Sequence, residues 1–224
     1  MEKLFTILLI LHIAGGIVGL LSGSINLIMK KGGKRHRLVG KIFVAGMMTA
    51  GISALGLSAI HPNYFLFMVG IFTVYMVGTG SRYIYLKLLG KDQKPKFIDW
   101  ILTIAMALSG LLLFGIGVLL ILRSKYFGIV LIVFGFLGLR FVKDDLKNFK
   151  GQSRFKNYWL LAHIGRMTGG YIASLTAFLV VNAKYSPIEF PAIFLWLLPT
   201  LILVPFIIKW SRKFAVKRTD LKLD

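Results

Sequence analysis

Cysteine is absent from the 224 residues, which excludes disulfides, thiolate metal sites and cysteine nucleophiles. Acids are nearly absent too: eight Asp and Glu stand against 28 Lys and Arg, a formal net charge of +20. A catalytic zinc needs three protein ligands and usually a carboxylate base. Here Asp92, Asp144, Asp145, Glu189 and Asp220 read as loop residues, and only Asp99 falls at the start of an apolar run. With no HExxH pattern either, a zinc hydrolase ranks last among the functions considered. Long polar segments are also missing, so no soluble domain fits between the apolar runs.

What is there is apolar sequence. Hydrophobic residues make up 57% of the chain and the mean hydropathy is +0.77, far above an ordinary soluble domain. The reading is all-α: a polytopic transmembrane bundle of seven spans, each near the ~20 residues that cross a bilayer. The expected spans are 4–29, 38–61, 64–87, 97–122, 126–143, 157–182 and 191–209. The first run is too long for the apolar region of a leader peptide and reads as a membrane helix. Residues 1–209 then form one transmembrane domain, and 210–224 a basic tail.

The positive charge is segregated. The loops after spans one, three and five, with the tail, hold 23 of the 28 Lys and Arg. The other face holds Lys3, Arg123, Lys125 and Lys184, and Arg166 alone falls deep inside a span, away from its ends. By the positive-inside rule the N-terminus is outside and the C-terminus cytoplasmic, as in a bacterial inner membrane. The basic excess is thus a topology signal facing anionic membrane lipids, not a nucleic-acid footprint.

Chemistry inside the spans is sparse. In the first, His12, Gly15, Gly19, Gly23 and Asn26 share one face at steps of three and four. The glycine ridge suits close helix packing, or room for a flat ligand beside His12. In the sixth, His163, Arg166, Met167, Gly170, Ser174 and Ala177 share a face. An ionisable residue in a span usually faces the bundle interior; Arg166 could also snorkel to the cytoplasmic edge. The fourth and fifth spans offer glycine and phenylalanine and read as scaffold. Pro199 and Pro205 should kink the seventh.

Two stretches, LHIAGGIVGLLSGSINLIMKKGGKRHRLVGKIFVAGMMTA and WLLAHIGRMTGGYIASLTAFLVVN, resemble the bacterial membrane family known as domain of unknown function 2306. The likeness rests on His12, Lys31-Gly32, His36, Gly40-Lys41, His163 and Thr176-Ala177-Phe178 and spans most of the chain. It implies a multi-span bacterial membrane protein with His12, His36 and His163 of interest. It implies no activity, and His61 lies outside the pattern.

The four histidines divide by leaflet: His12 and His61 in the outer half, His36 and His163 in or near the inner half. Two pairs, one per leaflet, is the arrangement of a cytochrome with two b-type haems held by axial imidazoles. His12 and His163 are the leading iron ligands, His36 and His61 their partners. Arg166, Arg140 or Arg82 would pair with propionates. A quinone or another redox protein would be the partner. Depth counts against the pairs: at ~1.5 Å per residue, His12 lies roughly 10 Å deeper than His61, and His163 deeper than His36 by a similar amount. His163 and Met167 share a helix, so they cannot be trans ligands of one haem. The alternatives are a small-molecule or ion transporter or channel with a His/Arg-lined interior, and a cofactor-free assembly or structural protein. A retinal protein is disfavoured, because Lys209 lies at the end of the seventh span and not at its centre.

Overall fold

A computed structural model of the chain describes residues 2–185 and 192–217. Among them are seven α-helices and no β-strand: α1 Glu2–Ile28, α2 Lys34–Ile60, α3 Tyr64–Tyr83, α4 Phe97–Leu122, α5 Phe127–Phe149, α6 Tyr158–Asn182 and α7 Ala192–Phe214. All but α5 are long and apolar enough to cross a membrane. Helix α7 continues through both Pro199 and Pro205. The acid expected in a loop at Glu189, and the tail residues Arg218, Asp220 and Lys222, lie outside the described residues.

Several boundaries differ from the sequence expectation. Helix α2 begins at Lys34 rather than 38, so His36 sits in its first turn. Helix α7 reaches Phe214, so the first residues of the expected tail are helical. The largest change is in α5, which runs to Phe149 instead of ending at 143 and carries Asp144 and Asp145 inside the helix. Two forces extend it. Arg140 and Asp144 pair at i,i+4 with 2.5 Å between Nη1 and Oδ1, a spacing that supports a helix. Leu131, Gly135, Gly138, Val142 and Asp145 are buried, one continuous inward stripe at steps of four and three. The helix stops where Gly151 takes a positive φ of 71°, the glycine stop of a helix C-terminus.

Helix α3 is the axis of the bundle. Some 56% of its most apolar window is buried, against 11% for α1 and for α7. It packs against α2, α6 and α4, while α1 leans on α2, α5 on α4 and α7 on α6. Small residues permit the closest approaches. A Cβ on Gly15 would lie 2.8 Å from the Gly46 carbonyl oxygen, and one on Gly46 would lie 2.7 Å from the Gly19 nitrogen. On the other side of the bundle, a Cβ on Gly135 would lie 2.7 Å from the Gly110 oxygen. Backbone therefore meets backbone at α1–α2 and α4–α5, as expected of helices that associate where water supplies no drive. The large aliphatic residues at other angles, such as Ile10, Ile17 and Leu21 on α1 and Leu108 and Leu111 on α4, stay exposed.

The loops at the basic end are tied down. Tyr158 Oη donates to Leu86 O at 2.6 Å and lies 2.9 Å from Leu89 N, which donates to it. Tyr83, Leu86, Leu89 and Tyr158 form a buried cluster there. The Gln93 side chain accepts from Leu88 N and donates to Tyr85 O. Gly90 and Gly151, both at positive φ, touch backbone to backbone. The residues just after α7 return to the start of α6: Lys156 N donates to Val216 O at 2.8 Å, and Asn157 Nδ2 donates to Phe214 O.

Candidate functional site

Arg166 does not snorkel. Its side chain is 3% exposed and points into the bundle at Asp145, which is fully buried on α5. Nη2 donates to Asp145 Oδ1 at 2.6 Å and to Phe141 O at 3.2 Å. Nη1 donates to Asp145 Oδ2 at 3.1 Å and to Thr79 Oγ1 at 2.7 Å. The carboxylate also accepts from Tyr75 Oη at 2.6 Å and Tyr83 Oη at 2.5 Å, with Thr103 Oγ1 at 3.3 Å. Asn148 Nδ2 donates to Tyr83 Oη at 3.0 Å. The guanidinium lies over the rings of Tyr75, Tyr83 and Phe141, 4.9–5.6 Å from their centroids, a favourable place for a desolvated cation.

This network joins α3, α4, α5 and α6. Arg166 and Asp145 neutralise each other, and every buried side-chain N or O among the described residues has a partner. The cluster locks four helices in register, and both terminal guanidinium nitrogens of Arg166 are spent within it. A second ion pair supports it nearer the basic end. Arg82 grips Asp99 with two bonds of 2.7 and 3.0 Å, and Asp99 also accepts from Lys96 N at 2.8 Å, at the first turn of α4. Thr103, one turn further along, donates to Asp99 O and reaches Asp145, so the two pairs form one polar seam.

The histidines sit elsewhere and differ from one another. His12 Nδ1 lies 2.9 Å from Ala50 O, and His163 Nδ1 lies 2.8 Å from Gly80 O. A carbonyl oxygen only accepts, so Nδ1 is the protonated nitrogen in both rings. In the neutral imidazole this leaves the Nε2 lone pair free, the state in which a histidine binds a metal. His36 faces Asn26. With its amide nitrogen toward the ring, Asn26 donates to His36 Nδ1 at 3.1 Å and to His36 O at 3.3 Å, and accepts from Gly40 N at 3.0 Å. Neutral His36 then carries its proton on Nε2. Lys31, between α1 and α2, donates to Asn26 O and Leu27 O and lies over the Trp210 ring; its partial burial pulls its pKa below the usual lysine value. His61 is exposed at the other end of the bundle, edge-on to Phe5 at 4.9 Å.

The expected pairs fare differently. His12 is level with Ala50, eleven residues before His61 on α2, or about 16 Å along the helix. The two cannot stand on either side of one iron. The ridge beside His12 is also filled: Gly15 meets Gly46, Gly19 meets Met47, and Gly23 meets Tyr171 and Phe43. On α6, Gly170 is covered by Val77 and Met76. His36 and His163, by contrast, both belong to the basic half: His36 lies in the first turn of α2, and His163 Nδ1 lies 2.8 Å from Gly80 O near the end of α3. In donor chemistry alone, His163 suits an iron ligand as it stands, through the Nε2 lone pair left by its Nδ1 bond to Gly80 O. His36 fits once the Asn26 amide turns over, so that its oxygen takes an Nδ1 proton and Nε2 is freed.

Sequence reasoning missed Asp145, Tyr75 and Tyr83. In the sequence Asp145 reads as a loop residue because the KDD triplet looks like the end of a span, and the fifth span reads as scaffold because glycine and phenylalanine offer little chemistry. The steps of four and three from Leu131 to Asp145 carried the signal.

The fold is an all-helical bundle with six long apolar helices, an architecture that suits an integral membrane protein embedded in a bilayer. No family model matches the chain, nor does any curated protein or solved structure.

Proposed function

We propose that the chain is a seven-span membrane protein, N-terminus out and C-terminus cytoplasmic, of the kind represented by the domain of unknown function 2306 family. Its work would be transmembrane electron transfer through b-type haem. The concentration of 23 of the 28 basic residues at one end supports the orientation. Helix α5 counts as a span because its first thirteen residues, Phe127–Leu139, carry no charge and pack backbone to backbone on α4.

The observation that carries the haem reading is the hydrogen bond of His163. Its Nδ1 proton is spent on Gly80 O within the bundle, while Nε2 has no bond to a described residue. A half-buried imidazole nitrogen with a lone pair and no donor is placed to take a ligand. His36 is the opposing residue, and the Asn26 amide decides which of its nitrogens is free. Haem bound there would supply one-electron chemistry, with a quinone or a redox protein as partner. Arg166 does not enter the site; by fixing α6 against α3 through Thr79, it sets the height of His163 beside Gly80. Arg82, which keeps Nη1 beyond its two bonds to Asp99, and Arg140, 54% exposed and held by one bond to Asp144, are the arginines left to face propionates. With its terminal nitrogens held by Asp145, Thr79 and Phe141, Arg166 is not presented to an anionic transport substrate.

The test is the haem-to-protein ratio of variants purified from haem-replete cells. His163→Ala and His36→Ala should each lose most of the haem, and His61→Ala should keep it. Retention by His163→Ala, or no haem in the wild type, refutes the assignment. Reporter fusions after Ile60 and after Phe149 check the orientation separately.

A further inference from the structure

The basic end carries a hollow that neither ion pair nor any histidine uses. It lies between the α3–α4 loop, the start of α4 and the end of α5, and is lined by Lys94, Pro95, Trp100, Leu146, Phe149 and Lys150. Its floor is apolar. Trp100 is 40% exposed and Leu146 38% exposed, and the Trp100 and Phe149 rings meet edge-on at 5.1 Å. Its rim holds two exposed lysines and no acid.

The hollow is built on fixed backbone. Lys94 precedes Pro95, which restricts it to an extended conformation, and its loop is bound by Gln93 and by Tyr158. Lys150 caps α5 and precedes Gly151, whose backbone rests on Gly90. The lysines therefore converge on the hollow from two loops that are locked together, at low entropic cost to a ligand. An apolar floor with an exposed tryptophan, under two ammonium groups, at the end of a membrane bundle where basic residues collect, is complementary to a lipid with a negative headgroup.

We propose that this hollow is a specific site for an anionic glycerophospholipid. Lys94 and Lys150 hold the phosphate, and the first part of an acyl chain lies along Trp100, Leu146 and Phe149. The inference does not depend on haem. It rests on the reading that the bundle is embedded with its basic end at headgroup level.

The experiment uses the full chain in detergent micelles doped with lipids brominated on the acyl chain, which quench tryptophan on contact. Brominated phosphatidylglycerol should quench at lower mole fraction than brominated phosphatidylcholine, and Trp100→Phe should remove that excess. Lys94→Gln with Lys150→Gln should raise the phosphatidylglycerol needed for half-quenching by about thirty-fold. A control pair on another basic face, Lys34→Gln with Arg37→Gln, should leave it within a factor of two. Equal loss in both pairs would reduce the effect to general charge and overturn the site. Competition by glycerophosphoglycerol, which lacks acyl chains, as strong as that of the intact lipid would make it a phosphate site and overturn the lipid. An excess that survives Trp100→Phe would place the lipid elsewhere. Absence of quenching by either brominated lipid would instead refute membrane embedding itself. Unchanged elution and helical circular dichroism show that each variant is folded.

Discussion

Removing the Asp145 carboxylate tests whether the polar seam holds the bundle together. Asp145 is fully buried and accepts from Arg166, Tyr75 and Tyr83. In Asp145→Asn the guanidinium stays in place, 3% exposed, with no counter-charge and an amide N–H₂ facing its own donors. Stranding one partner of a buried ion pair costs about 3–5 kcal/mol. For a chain of this size that lowers the apparent melting temperature by roughly 6–20 °C. The assay is thermal unfolding in detergent, read by tryptophan fluorescence and by the loss of monodisperse protein. The double variant Asp145→Leu with Arg166→Met removes both charges, and an apolar pair of similar volume replaces a buried ion pair at little cost. It should recover most of the loss. Asp145→Asn within 2 °C of the wild type, or a double variant as unstable as the single, would refute the reasoning.

Gly46→Ala should destabilise by about 1–3 kcal/mol, because its Cβ meets the Gly19 nitrogen and Gly15 oxygen of α1 and backbone cannot rotate away. Gly16→Ala, which meets nothing within 4 Å, should be neutral or slightly stabilising in the same melt. Tyr158→Phe leaves Leu86 O and Leu89 N without their buried partner, a cost of about 1–3 kcal/mol. It should speed tryptic cleavage at Lys87 and Lys91 several-fold; an unchanged rate would mean that the loop is held by other contacts. Asn26→Asp supplies only acceptors to His36, fixing its proton on Nδ1 and freeing Nε2. Haem retention should rise relative to Asn26→Ala by about ten-fold or more, the scale of such supporting partners; no difference would remove Asn26 from the account.

The helices and their order were legible because twenty-residue apolar runs separated by Lys- and Gly-rich turns have few other solutions. The use of the glycines was legible only in part. Gly15, Gly19 and Gly23 suit both close packing and a ligand cradle, and only the positions of Gly46, Met47 and Tyr171 on other helices decide for packing. Arg166 was recognisable as an interior residue, but its partner was not. Asp145 lies 21 residues away beyond a loop, and composition marks the end of α5 as polar. The stretch that looks like a loop is helix because its charges pair at i,i+4 on one side while Val142 and Asp145 turn inward on the other. The histidine tautomers were out of reach altogether, since they are set by the carbonyls of Ala50 and Gly80 on neighbouring helices.

The most direct test of the central claim is the visible spectrum of the detergent-purified protein from haem-replete cells, air-oxidised and then dithionite-reduced. A haem held by His163 and His36 predicts a strong band in the blue that shifts on reduction, with sharp bands in the green-yellow. A colourless protein would contradict the claim, leaving His163 as a packing residue whose Nδ1 bond to Gly80 serves the fold alone.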